Sequence, residues 1–186
     1  MKVTTQTHYS IMLLMFLLVG LFDLPVVQAE TPLGALVTRQ DAGLTITASY
    51  EVPLALEGSN TSNQPLFLSP DKADLFLAVN IRAGKGNKNG FGAGEFIPYL
   101  TVSYTLQRQG GGETLRGYLH SLVGPKGMKY GNNVKLSGPG PYTLTLIIDS
   151  PIKVGFGRHT DLETGVARWW KQLQVEWPLE YSALAK

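Results

Sequence analysis

The nine residues LTITASYEV, Leu44 to Val52, decide the fold class. Leu44, Ile46, Ala48, Tyr50 and Val52 fall on one side of an extended chain, and Thr45, Thr47, Ser49 and Glu51 on the other. Successive side chains of a strand point to opposite faces, so this period of two predicts a strand with one face in a core and one in water. The same pattern returns along the chain. Leu100, Val102, Tyr104 and Leu106 alternate with Thr101, Ser103, Thr105 and Gln107, while Leu144, Leu146 and Ile148 oppose Thr143 and Thr145. Near the C-terminus Leu173, Val175, Trp177, Leu179 and Tyr181 face one way, and Gln172, Gln174, Glu176 and Glu180 the other. DLFLAVNIRA departs from the rule. Leu75, Leu77, Val79 and Ile81 form one face, but Phe76 and Ala78 make the second face apolar too, which predicts a central strand covered on both sides.

Between these runs lie turn-formers: EGSNTSNQP, GKGNKNGFGAG, RQGGGE and SGPGP. No segment carries a helical stripe of useful length. Many short strands with Gly/Pro turns and no intervening helices predict an all-β chain, an immunoglobulin-like antiparallel β-sandwich forming a single domain. The glycine-rich GKGNKNGFGAG is not a phosphate loop. It lacks Gly-x-Gly-x-x-Gly and Gly-Lys-Ser/Thr spacing and no helix follows it, so it reads as a hairpin loop.

The first residues read as an address and not as fold. Lys2 gives a positive start, Ile11 to Leu21 is a short apolar run, and Val27 and Ala29 stand where a secretory cleavage site wants small residues. Residues 1–29 are expected to be a signal peptide and 30–186 the domain, exported to a periplasm, with Glu30 first in the mature chain. The apolar run falls short of the roughly 20 residues a membrane span needs, so a retained anchor is the lesser reading. The chain of 186 residues has no cysteine, which excludes disulfides and thiolate metal sites, and a 44% hydrophobic content leaves stability to core packing. A net charge of +2 gives no reason to expect nucleic acid as a partner.

Chemistry-bearing groups are sparse. GFGRHTDLETGVARWW, Gly155 to Trp170, sets His159 between an arginine and two carboxylates, ahead of paired tryptophans. His159 and Asp161 could supply the base and orienter of a hydrolytic triad, but no serine sits in a Gly-x-Ser-x-Gly elbow, so the chain is not expected to be an enzyme. Beyond the signal segment the imidazole and thioether donors are His120, His159 and Met128. One imidazole cannot close a coordination sphere. A structural alternative has His159 hydrogen-bonding so as to pin its loop against Trp169 and Trp170.

Several segments together resemble one family, the periplasmic high-affinity iron-transport accessory proteins. They are TPLG near the mature start, NGFGAGEFIPYLTVSYTL, KYGNNVKLSGPGPYTLTL, and GFGRHTDLETGVARWW with VEWPLEY, spread over about Glu30 to Tyr181. Members of that family are copper- and iron-binding sandwiches related to a metal-binding treponemal lipoprotein. The resemblance implies an immunoglobulin-like fold, a homodimer with metal near its interface, and work beside an inner-membrane iron permease. It also implies a ligand set: a His-x-Glu pair on one strand, a methionine, a histidine seven residues on, and a histidine before the paired tryptophans. In this chain those positions hold Phe76 and Ala78, Leu122, Lys129, and finally His159. Only the last keeps its donor. Lys129 would set a cation where a cation should bind.

The expected function is therefore a non-enzymatic periplasmic accessory protein of an iron-uptake system, with copper or iron bound weakly, by an altered set, or not at all. A rebuilt site would bring His120, two residues before Leu122 and hence on the same strand face, toward His159, with Met128 or Glu95 completing it. The expected partners are a second copy, an inner-membrane iron permease or a ligand-complete paralogue. The rival reading is a metal-free interaction or scaffold module that uses the apolar patch around Phe76 and Ala78.

Overall fold

The computed structural model describes residues 30–183, so the expected cleavage site at Val27 and Ala29 lies outside the described residues. The strands are β1 (Thr31–Pro32), β2 (Val37–Arg39), β3 (Leu44–Glu51), β4 (Leu75–Ala83), β5 (Thr101–Arg108), β6 (Thr114–Gly124), β7 (Gly127–Val134), β8 (Gly140–Asp149) and β9 (Leu173–Tyr181). Two short 3-10 turns, Pro70–Lys72 and Pro151–Val154, each open on a proline whose fixed φ suits the first position of a helical turn. Among the described residues there is no α-helix, and none long and apolar enough to cross a membrane.

The strands pair antiparallel in the order β1-β3-β4-β7-β6-β5-β8-β9, with β2 also on β3. The fold is an antiparallel β-sandwich made from one curled sheet. β6 turns the corner between the layers. Its residues 114–119 pair with β5, and residues 120–124 pair with β7. Thus β3, β4, β7 and the end of β6 form one layer, and β5, β8, β9 and the start of β6 the other.

The alternating runs are buried as their pattern requires. β9 alternates buried and exposed at every residue, and Tyr142, Leu144, Leu146 and Ile148 of β8 and Leu44, Ile46, Ala48 and Tyr50 of β3 all enter the core. The free edge of β9 is stitched to the opposite layer by side chains. The Tyr50 hydroxyl donates to the Glu180 carbonyl at 3.1 Å, Trp177 Nε1 to the Ala35 carbonyl at 3.3 Å, and Arg39 to the Gln174 carbonyl at 3.2 Å. The bonds from Tyr50 and Arg39 occupy β9 carbonyls that an open edge would present to other chains.

The glycine-rich segment does turn back on itself. Arg82 bridges to Phe96, and Ala83 N–H donates to the Glu95 carbonyl at 2.8 Å. The chain then crosses to the other layer, and Tyr130 fixes the crossing. Its hydroxyl donates to the Ile97 carbonyl at 2.8 Å and accepts from Leu100 N–H at 3.0 Å, while its ring stacks on Phe96 at 5.0 Å. Burial pushes the Tyr130 phenol up to about 12, so it remains a neutral donor.

Candidate functional site

Strand register builds the site. Ala78 of β4 faces Gly131 of β7, which faces His120 of β6. Glu51 of β3 lies across from Phe76, Phe76 across from Asn133, and Lys129 across from Leu122. Partners across a ladder share a face, as do residues two apart on one strand. Phe76, Ala78, Leu122, Lys129 and His120 therefore all project from the outer face of the same layer, joined there by Glu51.

That face is roofed. Asn133, almost fully buried, donates to the carbonyls of Leu54 and Leu68 at 2.7 Å each, and its side-chain oxygen accepts from Leu54 N–H at 3.0 Å. These bonds clamp residues 54–68 over the outer side of β4. Phe76 is 0% exposed beneath the clamp. Its ring occupies the space a side chain at 131 would fill, and only glycine leaves room, since a methyl there would overlap the ring. The second apolar face of DLFLAVNIRA is thus a ring seated under a loop.

The Lys129 ammonium stands 5.8 Å from the centre of the Phe76 ring, a cation–π arrangement. It is 2.7 Å from a carboxylate oxygen of Glu30 and 3.6 Å from one of Glu51. With only 8% of the residue exposed, Lys129 requires such partners, because a buried ion is stable only when paired. The hydrogen bond from Lys129 holds the Glu30 carboxyl below its ordinary range. Burial works against this, and the charges of Lys129 and Lys126 reinforce it.

His120 is half-buried, its ring edge-on to Phe67 at 5.6 Å, and desolvation depresses its pKa. Leu122 lines an outer groove of about 620 Å³ together with Phe67, Val123 and Met128. His159 has other company. Its Nε2 lies 2.7 Å from Asp161 Oδ2, with 57% of the imidazole side chain exposed. Its loop is pinned without its ring: Arg158 donates to the Val166 carbonyl at 2.7 Å, and Asn89 to the carbonyls of Ala167 at 2.8 Å and Arg168 at 3.1 Å. The loop does reach the tryptophans, as Phe156 lies 6.1 Å from Trp169, but through an aromatic contact and not through the histidine. Glu95 accepts from Gly92 N–H at 2.8 Å, within its own turn.

The positions to which the resemblance assigned four ligands are thus together, but their chemistry does not fit a metal cation. A phenyl ring, a methyl group, an isobutyl group and an ammonium held in ion pairs offer no lone pair to copper or iron. Among the described residues no group of three or more His, Cys, Asp or Glu side chains gathers to hold an ion. Alignment of short motifs could find Phe76, Ala78, Leu122 and Lys129. It missed Glu30, Glu51, Asn133 and Gly131. Glu51 was legible as the polar face of the opening strand, whereas Glu30 arrives only because β1 folds back along β3.

A family model described as Fe2+ transport protein matches residues 27–183. The chain belongs to this family. It is 43% identical to FetP of uropathogenic Escherichia coli strain F11, with a TM-score of 0.76 over 84% of this chain and 99% of that one. It is 35% identical to the copper-reconstituted P19 protein of Campylobacter jejuni, with a TM-score of 0.77 over 85% of this chain and 99% of that one. A UPF0423 protein of Brucella abortus is 38% identical over 77% of this chain and 78% of its own. The 34 kDa membrane antigen of Treponema pallidum is 34% identical over 59% and 55%. The chain is accordingly associated with iron or metal transport, and solved members of the same fold have been obtained with copper bound.

Proposed function

We propose that this chain is a non-enzymatic, periplasmic accessory protein of an iron-uptake system, one that no longer carries metal at the outer-face site. It works as a homodimer beside an inner-membrane permease or a ligand-complete paralogue. Copper or iron binds weakly, through His159 and His120, or not at all. The observation that carries this reading is the Lys129 ammonium, paired with Glu30 and Glu51 over the Phe76 ring. The ammonium already occupies the Glu30 and Glu51 carboxylates, so a second cation would have to displace it to reach them. The family match and the copper-bound relatives support the metal-transport setting.

Calorimetric titration of the purified chain with Cu(II), and anaerobically with Fe(II), tests it. Binding weaker by orders of magnitude than that of a ligand-complete relative is expected. Loss on His159→Ala alone assigns the residual site to His159, and loss on either His159→Ala or His120→Ala assigns it to both. Tight binding that survives both substitutions overturns the proposal.

The rival reading of a metal-free interaction module cannot use the patch around Phe76 and Ala78, because both side chains are 0% exposed, but another feature favours it. Tyr99, Ile152, Val154, Phe156 and Leu162 are all exposed, and Tyr99 stacks on Phe156 at 4.8 Å. Exposed apolar side chains such as the stacked Tyr99 and Phe156 are the kind that contact surfaces present. That reading predicts no rise in melting temperature with any metal, since a ligand that does not bind cannot shift folding.

A further inference from the structure

Beside the filled site, the same outer face carries a groove of about 300 Å³. Its floor follows from strand register: Thr45 lies across from Arg82, and Thr47 across from Asn80. Lys126, at the exposed turn between β6 and β7, Lys129, Glu30 and Leu36 complete the lining. Its donors are the Thr47 hydroxyl, the Asn80 amide, a guanidinium and two ammonium groups, while the Thr45 hydroxyl already donates to the Arg82 carbonyl at 3.4 Å.

The charges do not cancel. Lys129 is matched by Glu30 and Glu51, so the two carboxylates near the groove are engaged. Arg82 gives one N–H to the Gly94 carbonyl at 3.0 Å, an uncharged acceptor, and Lys126 meets Glu30 only as a longer-range attraction. Three cationic groups, Arg82, Lys126 and Lys129, against the two carboxylates of Glu30 and Glu51 therefore leave about one net positive charge over a concave floor. Pockets of a few hundred Å³ with a few convergent polar groups are the size that small ligands fill. Guanidinium, ammonium and hydroxyl donors suit oxygens carrying negative charge.

The geometry points to a binding site for a small polyvalent oxyanion in this groove, a di- or tricarboxylate or a compact phosphate, held by Arg82 and Lys126 with Thr47 and Asn80 bonding its oxygens. Lys129 supplies background charge, already paired. A bare metal ion is repelled there, whereas an anionic species is attracted. The inference stands whether or not His159 and His120 bind metal, because it shares no residue with them.

Isothermal titration of the purified chain with citrate, pyrophosphate and inorganic phosphate, in low-salt buffer without other polyvalent anions, tests it. One-to-one binding of citrate or pyrophosphate is expected, weakened by added sodium chloride. Preference for citrate assigns the site to carboxylates, and preference for pyrophosphate to phosphates. Arg82→Met and Lys126→Met should each weaken binding about tenfold or more, as loss of a charge-assisted hydrogen bond does. Lys126 sits on an exposed turn, so its substitution reads binding even where Arg82→Met affects folding. Leu162→Ser, on the His159 loop, should leave affinity unchanged. No binding of any of the three anions at millimolar concentration overturns the inference, as does binding that neither cationic substitution alters.

Discussion

At the scale of the residue, Lys129 shows how one side chain can fill a position where the resemblance puts a ligand. It is long enough to lay its stem along the sheet and set its ammonium between Glu30 and Glu51. Lys129→Ala leaves two partly buried carboxylates facing each other without a counter-ion, and should destabilise the fold by about 2–3 kcal/mol in urea denaturation. Lys129→Met, which keeps the stem over Phe76, should cost less than Lys129→Ala. Two groups set the pH dependence. Glu30 has a lowered pKa in the fold, so its contribution is present above its ordinary value of 4.5 and lost as pH falls through the folded value. His120 also has a lowered pKa, so the unfolded chain takes up a proton first, near 6.5. Stability should fall as pH drops below about 6.5, and His120→Phe should flatten that limb while leaving the acid limb of Glu30 in place.

At the scale of the element, β4 and β7 are matched like plug and socket. Gly131 is required because the Phe76 ring lies where its side chain would stand. Gly131→Ala should cost about 1–3 kcal/mol by overpacking. In the background of Phe76→Ala that cost should largely vanish, and a double-mutant cycle on urea midpoints measures the coupling. If the two costs simply add, the ring and the glycine are not matched as described. The crossing from β4 to β5 hangs on another residue of β7. Tyr130→Phe leaves the Ile97 carbonyl and the Leu100 N–H without their buried partner, and should destabilise by about 1–3 kcal/mol with little change in strand content by circular dichroism.

At the scale of the whole molecule, the sandwich still presents the outer-face positions where the resemblance puts the ligands, although the groups there have changed. A combined substitution, Phe76→His, Ala78→Glu, Leu122→Met and Lys129→His, should therefore raise copper affinity by orders of magnitude over the unaltered chain. With that gain, metal should lift the melting temperature by mass action, which it should not do for the unaltered chain. The measurement is thermal denaturation with and without Cu(II). A restored donor set that still fails to bind would mean that the roof of residues 54–68, and not the side chains alone, closes the site.

The sequence by itself determined the class of fold and the identity of the layer faces. Alternation in β3, β5, β8 and β9 specifies which side of each strand is buried, because a one-residue shift would turn every apolar group to water. The doubly apolar DLFLAVNIRA announced a covered central strand for the same reason. The chain order also shows that Phe76, Ala78, Leu122 and Lys129 are no metal donors, whatever the fold does with them. What only the tertiary structure decided is who meets whom. Glu30 and Lys129 are 99 residues apart, and Leu54 and Asn133 are 79 apart. Such contacts depend on strand order and on the turn of β6 between layers, and local periodicity carries no information about either. Charge pairing, the roof and the donor-lined groove belong to that level, because burial and Coulomb energy depend on distance in space and not along the chain.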